Sequence, residues 1–372
     1  MKVALVHDSV IAYGGAERTL EVLLTLFPDA PLYTAIFRPM GAMPSVGARR
    51  VETSVLQRVP LPVQVLKPLF PLAFERFRLP DDADVILSSS SGYAKGIRPP
   101  RSVVHVAYIH TPLRRAWNPD HLASRRTLGG RTGRLLESTL LAYLRRWDVG
   151  SAKRVDHFVA NSENTALQVQ RIYGREAVVI HPPVRASFFV PATEQTVHEY
   201  FLVVSRLDPY KRIDLAIQAA NALRAPLVIV GDGVAHGTLQ RLAGKTVKFL
   251  GTVDDVALRS LYQGCRALIF PGEEDFGIAP VEAQACGRPV IAFAAGGVLE
   301  TVIEGVTGLF FHEPTADSVV RALERFDSGG FDREQIRENA LRFDETRFED
   351  RISRFIRRAT FGASRHRDAG PR

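Results

Sequence analysis

The sequence predicts an α/β protein with two doubly wound domains, each built on a parallel β-sheet. In the second half of the chain, short apolar segments alternate with helical segments, a pattern typical of a parallel sheet covered on both faces. The first half repeats this pattern less regularly. The length of 372 residues is sufficient for two domains that each bury a core.

The second half contains the clearer strands. We expect helices between most of them, for example over 213–223 and 255–263. The expected strands are YFLVVS, PLVIVG, VKFLG, ALIFPG, PVIAF and TGLFF.

In the first half, we expect a helix after Gly15 and a long irregular insertion over about 51–80. The consecutive prolines Pro182 and Pro183 indicate the connection between the domains. Ligands bind outside the carboxyl ends of the strands in such sheets, so two domains predict a cleft between them. The expected strands are KVALVHD, PLYTAIF, DVILSSS, VVHVAYIH, DHFVANS and AVVIHPP.

Composition and charge limit the classes of protein. With 46% hydrophobic and 24% charged residues the chain is globular, and no apolar run is long enough to cross a membrane. The start, MKVALVHD, is interpreted as a first strand and not as a signal peptide. Cys265 and Cys286 form neither a disulfide framework nor a metal cluster, which favours small core residues in a reducing, cytoplasmic compartment. The net charge of +8 predicts an anionic partner.

The stretch EEDFGIAPVEAQACG places Glu274 and Glu282 eight positions apart. We expect a buried strand before it and a helix that begins near Pro280, so that Glu274 lies on a loop and Glu282 in the first helical turn. Gly277 between them would let a ligand approach backbone N–H groups at a helix N-terminus. The alternative is a solvated loop charge and a glutamate that complements the helix dipole.

Three further loops follow expected strands. Gly14 and Gly15 could expose N–H groups to a phosphate, or form a plain turn. Arg206 and Lys211 flank an Asp-Pro turn and suit a diphosphate, or are ordinary solvated charges. His110 ends a strand and is followed by Arg114, Arg115 and Trp117, although a hydrogen-bonded core histidine is the simpler interpretation.

Together these loops resemble the family-4 retaining glycosyltransferases, which have the GT-B fold of two facing Rossmann-like domains. The most specific element is Glu-x7-Glu, from Glu274 to Glu282. Gly14-Gly15, Arg206-x4-Lys211 and GTVDD at 251–255 support it. The segments YGGAER, HTPLRRAW and SRLDPYKRID resemble the branch with bacterial O-antigen and exopolysaccharide mannosyltransferases.

The resemblance implies a role for each matching residue. Glu274 would bind the hydroxyls of the donor sugar, Glu282 would bind the ribose, and His110 would lie beside the reacting sugar. Arg206 and Lys211 would hold the diphosphate in place of a metal. The remaining donor-side residues are Gly14, Gly15, Val253, Phe276, Gly277 and Ile278, and the acceptor-side residues are Tyr13, Arg114 and Trp117.

The same resemblance implies the domain roles. Residues 1–183 would bind the acceptor and 184–342 the nucleotide sugar, with a helix over 343–361 packing back on the first domain and a disordered basic tail over 362–372. The expected reaction moves a hexose, mannose from GDP-mannose, to a polyprenyl-diphosphate-linked saccharide in cell-envelope polysaccharide or glycolipid biosynthesis. No cofactor, metal or nucleic acid is expected, and Asp82-Ala83-Asp84 is interpreted as a surface turn.

Residues 55–78 are expected to place the protein on the inner face of the plasma membrane. Phe70, Phe74 and Phe77 would enter the lipid, and cations such as Lys67 would meet anionic headgroups. An ordered loop that covers the core is the alternative.

Other functions stay open on the sequence alone. They are a transferase with a UDP-sugar and a soluble acceptor, an epimerase or glycoside phosphorylase, a non-catalytic nucleotide-sugar sensor, and a nucleic-acid-binding protein. The last of these lacks any recognisable nucleic-acid-binding motif.

Overall fold

The structure, a computed structural model, describes residues 1–38, 46–47, 49–118, 130–193 and 198–368. The side chains of 130–132, 328 and 362–368 are not described. The chain divides into two compact units. The first comprises Met1–Pro183 with Phe348–Arg372, and the second comprises Val184–Arg347.

The first unit contains a parallel sheet of seven strands within the described residues, in the order β3-β2-β1-β4-β5-β6-β7. The strands expected in the first half all form. Strand β3 was not expected, because its three residues are only partly buried and lie at the start of the segment interpreted as irregular. The strands are β1 (Val3–His7), β2 (Leu32–Thr34), β3 (Val51–Thr53), β4 (Val85–Ser90), β5 (Val104–Ile109), β6 (His157–Ala160) and β7 (Ala177–Val179).

Helices cover this sheet. The helix expected after Gly15 is confirmed as α1, and its buried face includes Leu20, Leu23 and Leu24. The helices of this part of the chain are α1 (Gly15–Leu26), α2 (Val63–Leu66), α3 (Phe70–Glu75), α4 (Arg114–Trp117), α5 (Gly130–Ala152) and α6 (Glu163–Tyr173).

The insertion over 51–80, expected to be irregular, contains strand β3 and the short helices α2 and α3, and it covers the core as in the alternative interpretation. Helix α3 places Phe70 and Phe74 in the core of the first unit, where both side chains are fully buried. Phe77 packs partly buried against the same core and lies edge-on to Phe74 at 5.7 Å. The expectation that these phenylalanines enter a membrane is therefore wrong, because they fill the space beside the sheet.

The second unit contains six parallel strands within the described residues, in the order β10-β9-β8-β11-β12-β13. Every strand expected in the second half is confirmed. They are β8 (Phe201–Val204), β9 (Leu227–Val230), β10 (Val247–Gly251), β11 (Leu268–Phe270), β12 (Val290–Phe293) and β13 (Gly308–Phe311).

The helices of the second half follow the strands closely. They are α7 (Ile213–Leu223), α8 (His236–Leu242), α9 (Asp255–Gly264), α10 (Ile278–Ala285), α11 (Val298–Thr301), α12 (Ala316–Arg325), α13 (Arg333–Leu341) and α14 (Glu345–Asp368). Asp254 and Thr315 begin α9 and α12 by accepting hydrogen bonds from backbone N–H groups of the first turn. Both cysteines are fully buried in the core of this unit, as expected.

Helix α14 connects the end of the chain to the first unit. Phe348, Ile352 and Ile356 are buried in the core beside the first sheet, and the Phe348 ring meets Tyr108 edge-on at 5.7 Å. The helix continues past residue 361 to Asp368, where a disordered tail was expected. Residues 369–372 lie outside the described residues.

Candidate active site

An ion pair joins the loops that follow β8 and β11 in the second unit. Lys211 ends a short 3₁₀ turn, Pro209–Lys211, and Glu274 lies on the loop after β11. The ammonium Nζ contacts Glu274 Oε1, and the side chains are only 14% and 15% exposed. Because adjacent parallel strands end at the same edge of a sheet, this pair occupies the position where ligands bind in doubly wound folds.

Glycines allow these loops to approach one another. A Cβ atom on Gly272 would lie 2.7 Å from the carbonyl oxygen of Lys211, and one on Gly296 would lie 2.2 Å from the carbonyl oxygen of Glu274. The backbone N–H of Gly297 donates to that same Glu274 oxygen at 2.9 Å. The loop after β12 therefore fixes the backbone that carries Glu274.

Arg206 lies differently from Lys211. Its side chain is 69% exposed, with Nη2 3.6 Å from Asp208 Oδ2 and 3.2 Å from the Tyr210 hydroxyl. The sequence predicted two fixed cations on one loop. The structure holds Lys211 against Glu274 and leaves Arg206 reaching into solvent.

Glu282 is not in the first helical turn, because α10 begins at Ile278 and Pro280 is its third residue. Glu282 lies in the second turn, is 3% exposed, and accepts a hydrogen bond from the Tyr262 hydroxyl at 2.9 Å. Neither part of the alternative interpretation holds, because Glu282 is buried beyond the first helical turn and the loop residue Glu274 is only 15% exposed.

The predicted donor-side residues around the start of α10 are buried or partly buried. Gly277 adopts φ +87°, the left-handed region that favours glycine. Phe276 is 3% exposed and packs edge-on against Phe343 at 5.6 Å. Val253 and Ile278 are partly buried against the same core. Of these predicted donor-side residues, Phe276 offers only its backbone to a ligand.

In the first unit, His110 lies at the carboxyl end of β5 and is 8% exposed. Its Nε2 lies 2.8 Å from Ser89 Oγ, and Asn161 donates a hydrogen bond to its carbonyl oxygen at 3.0 Å. Burial lowers the pKa of His110 to about 3, with the charge of His7 as a second cause. The ring is therefore a neutral group at physiological pH.

In the Gly14-Gly15 turn, one of the N–H groups expected to bind a phosphate already donates a hydrogen bond within the protein. Gly14 precedes α1, and its N–H donates to Glu17 Oε2 at 3.0 Å. A phosphate at this N–H would have to displace a carboxylate. Tyr13 is 41% exposed, its hydroxyl donates to Glu21, and the guanidinium of Arg18 lies 5.7 Å from its ring centre.

The short helix α4 carries two of the predicted acceptor-side residues, Arg114 and Trp117, both partly buried. The Trp117 indole N–H donates to Asp148 Oδ2 at 2.7 Å. Asp148 is fully buried, forms an ion pair with the equally buried Lys95, and accepts a hydrogen bond from Tyr173 at 2.9 Å. Trp117 is therefore tied to a buried polar cluster that holds α4 against α5.

Sequence reasoning missed several residues at these strand ends. Gly231 and Gly233, after β9, pass so close to Ser205 and Leu207 that a Cβ on either would clash with a backbone carbonyl. The VGDG and AAGG segments directly after expected strands were the available signal. There was no sequence signal for Ser89, because no sequence pattern distinguishes a functional serine inside a buried strand from any other.

Comparison with known proteins agrees with this geometry. Residues 13–188 match the family model described as Glycosyltransferase Family 4, and residues 185–343 match Glycosyl transferases group 1. Each unit therefore matches a glycosyltransferase family model. The Asp82-Ala83-Asp84 segment lies at a surface turn, as expected, where the exposed Asp82 pairs with Lys2 at 2.7 Å.

Curated relatives of these glycosyltransferase domains include two proteins named as D-inositol 3-phosphate glycosyltransferases. The one from Catenulispora acidiphila is 30% identical over 193 residues, which is 43% of this chain and 45% of that protein. The one from Kribbella flavida is 31% identical over 200 residues, which is 45% of this chain and 47% of that protein. The chain thus spans about half the length of the curated relatives it matches.

Solved structures extend the likeness to nearly the whole chain. Sucrose-phosphate synthase from Thermosynechococcus elongatus has a TM-score of 0.76 at 18% identity, covering 96% of this chain and 99% of its own. HepE of Anabaena, solved in complex with UDP-glucose, has a TM-score of 0.68 at 20% identity with the same coverage. These likenesses show the GT-B fold of two Rossmann-like domains, as the sequence predicted.

Proposed function

We propose that the chain is a retaining glycosyltransferase that transfers a hexose from a nucleotide diphosphate sugar. The observation that carries this proposal is the Lys211–Glu274 pair at the carboxyl ends of β8 and β11. Lys211 is a cation that can bind a diphosphate, and Glu274 is a carboxylate that can bind sugar hydroxyls. The two side chains are in contact, and a nucleotide sugar requires its diphosphate site and its sugar site to lie no further apart than the length of one sugar.

The reaction breaks the bond between the anomeric carbon and a phosphate oxygen. Negative charge develops on the leaving diphosphate, where Lys211 and Arg206 would stabilise it by preorganised electrostatics. The acceptor hydroxyl attacks from the face that the phosphate leaves, and its proton passes to the departing phosphate oxygen. Configuration is retained, and the chain needs to supply no nucleophile.

The ion pair suits this role because it holds both groups in place without substrate. Burying one of the charges alone would cost several kcal/mol, so each residue stabilises the other at a site that is about 85% shielded from solvent. On binding, sugar hydroxyls donate to Glu274 while the phosphate accepts from Lys211. Glu282 is proposed to reach the ribose by exchanging its Tyr262 partner for a ribose hydroxyl.

We propose GDP-mannose as the first donor to test, on the motif resemblance to mannosyltransferases. A UDP-hexose is the second candidate, favoured by the UDP-glucose complex of HepE. Thermal-shift measurements with GDP-mannose, UDP-glucose, GDP and UDP distinguish them. The proposal requires that one sugar nucleotide raises the midpoint more than its bare nucleotide does.

We propose that the acceptor is a lipid-linked saccharide and that the first unit docks on an anionic membrane surface at the cytoplasmic face. Its support is a stripe of exposed apolar residues, Leu61, Val65, Leu69 and Leu72, which are 45%, 58%, 46% and 47% exposed. Their spacing of four, four and three residues follows successive short helical turns.

Cations accompany this stripe. Arg58, Arg76 and Arg78 in the same segment are exposed, and such cations are attracted to anionic headgroups. Apolar groups with basic neighbours are typical of interfacial elements. Within the described residues, no helix has the length and apolar character needed to cross a membrane.

A soluble acceptor is the competing possibility, favoured by the names of the inositol phosphate relatives. A sensor or an epimerase would also bind a sugar nucleotide. Turnover separates them, since a transferase releases nucleotide in proportion to glycosylated acceptor, an epimerase converts the sugar nucleotide into its epimer without an acceptor, and a sensor leaves the sugar nucleotide unchanged.

A further inference from the structure

A line of buried polar side chains runs from α1 to His110 in the first unit. Ser89 Oγ lies 2.8 Å from His110 Nε2 on one side and 3.1 Å from His7 Nδ1 on the other. The far nitrogen of His7, Nε2, lies 3.8 Å from Glu17 Oε1. His7 and Ser89 are 2% and 1% exposed.

The chemistry of a hydroxyl gives this line a direction. Ser89 has one hydrogen, so it donates to one neutral imidazole and accepts from the other. Two arrangements are therefore available: either both histidines carry their hydrogen on Nε2, or both carry it on Nδ1.

Glu17 selects between the arrangements. Its carboxylate favours a hydrogen on the facing Nε2 of His7, which leaves Nδ1 of His7 to accept the Ser89 hydroxyl hydrogen. Ser89 Oγ then accepts from Nε2–H of His110. Asp8, the other carboxylate near His7, is occupied by backbone N–H groups of Ser91, Tyr93 and Ala94.

The remaining ring nitrogen of His110 is Nδ1. Within the described part of the chain the imidazole is hydrogen-bonded through Nε2 and not through Nδ1, and the residue keeps 8% exposure. With the hydrogen on Nε2, Nδ1 carries a lone pair. Such a group accepts a hydrogen bond from a hydroxyl and does not attract a phosphate.

We propose that Glu17, His7 and Ser89 are positioning residues that fix His110 as its Nε2–H tautomer, so that Nδ1 accepts a hydrogen bond from a substrate hydroxyl. The substrate part of this inference rests on the proposed glycosyltransferase function. The tautomer part does not, and it can be measured on the free protein.

The adjacent residue supplies a matched control. Ser88 Oγ lies 2.9 Å from Nε2 of His105, and both are fully buried. Neighbouring residues of a strand point to opposite faces of the sheet, so this pair has the same chemistry without contact to the proposed line. Ser88→Ala removes a comparable hydrogen bond and should leave His110 unchanged.

Nitrogen NMR of the full chain, labelled in its histidines and recorded near pH 8 where neutral imidazole dominates, tests the tautomer. His110→Gln assigns the signal. We expect a protonated Nε2 and an unprotonated Nδ1 in the native protein and in Ser88→Ala, and a shift toward the other tautomer in Ser89→Ala and Glu17→Gln. An unprotonated Nε2 in the native protein, or no response to Glu17→Gln, overturns the proposal.

Kinetics then test the hydroxyl contact. Ser89→Ala should lower kcat about tenfold, the equivalent of one ordinary hydrogen bond, with affinity for bare GDP or UDP unchanged. Ser88→Ala should leave kcat unchanged. If the tautomer is as proposed but the protein turns over no sugar nucleotide, the proposed glycosyltransferase function is wrong. The inference that Glu17, His7 and Ser89 fix the tautomer of His110 is then still supported. If Ser89→Ala does not fold, Glu17→Gln gives the same test at a partly exposed site.

Discussion

Lys211 and Glu274 lie 63 positions apart in the chain and contact each other across two loops that leave adjacent strands of one sheet. The geometry depends on Gly272, whose missing side chain lets the Glu274 loop rest on the backbone of Lys211. Mutation of an ion pair that is mostly shielded from water changes both the free energy of unfolding and turnover. Measuring the two together distinguishes a structural role from a catalytic one.

The first prediction concerns Lys211→Met. Turnover should fall about 10²–10³-fold, the typical loss when one preorganised group that stabilises developing negative charge is removed. The free energy of unfolding should also fall, by up to about 3 kcal/mol, because Glu274 is left buried without a partner. Steady-state kinetics and urea denaturation measure the two effects.

The double variant Lys211→Met/Glu274→Gln is the control. It removes both charges, so the stability should return close to that of the native protein while turnover stays low. Recovery of turnover in the double variant would mean that the pair is structural. Native turnover in Lys211→Met alone would remove Lys211 from the site.

The second prediction separates the two glutamates. Glu282→Ala should weaken binding of both the sugar nucleotide and the bare nucleotide, because the ribose is common to them. Glu274→Ala should weaken binding of the sugar nucleotide and spare the bare nucleotide. Titration calorimetry with both ligands measures the difference.

Tyr262→Phe is the matched control for Glu282. It removes the hydroxyl that Glu282 accepts from and keeps the carboxylate. We expect bare-nucleotide affinity to be retained or improved in this variant. Equal losses for both ligands in Glu274→Ala and Glu282→Ala would contradict the assignment of separate roles.

The sequence predicts the strands and helices of the second unit well, because the sequence patterns that indicate them are local. Every strand except YFLVVS is a short apolar run next to a Gly or Pro, and the helix over Ile213–Leu223 was located to the residue. The insertion over 51–80 was misjudged because its prolines disrupt any single helix, whereas the chain forms separate short helices around them.

The site was predictable in its residues and less so in its contacts. The spacing of Glu274 and Glu282 is visible in the sequence, but the burial of Glu282 on Tyr262 depends on α9 packing beside α10. The pairing of Lys211 with Glu274 likewise depends on sheet order. Long-range contacts of this kind leave no periodic trace in a single sequence.

The third prediction is a loss of stability in acid. Burial lowers the pKa of His105 to about 4 and that of His110 to about 3, from an ordinary value of 6.5. Between about pH 6.5 and pH 4 the unfolded chain therefore binds more protons than the folded chain, and stability falls as the pH falls. The slope should be about 1.4 kcal/mol per pH unit for each histidine.

Urea unfolding at pH 7 and pH 5 measures this slope. His105→Gln should reduce the pH dependence, and His157→Gln, at an exposed position on β6, serves as the control. Identical midpoints at the two pH values in the native protein would contradict the prediction.

The fourth prediction is that turnover survives a chelator. In the proposed mechanism Arg206 and Lys211 would supply positive charge for the leaving diphosphate, so an excess of EDTA should leave the rate unchanged within error. Loss of turnover on chelation, followed by recovery with magnesium or manganese, would show that a metal acts in place of these cations.

The last prediction concerns the stripe formed by Leu61, Val65, Leu69 and Leu72. The purified protein should float with anionic vesicles at low salt and separate from them at high salt, because exposed arginines of the same segment hold anionic headgroups by screened electrostatics. Leu69→Ser/Leu72→Ser should weaken vesicle binding about tenfold or more, since each leucine loses the transfer of its exposed half into lipid. Leu167→Ser is the matched control, because Leu167 is 70% exposed on α6 of the same unit and lies outside the stripe. Equal flotation of the double variant and the control would place the docking surface elsewhere, and no flotation of the native protein at low salt would favour a soluble acceptor.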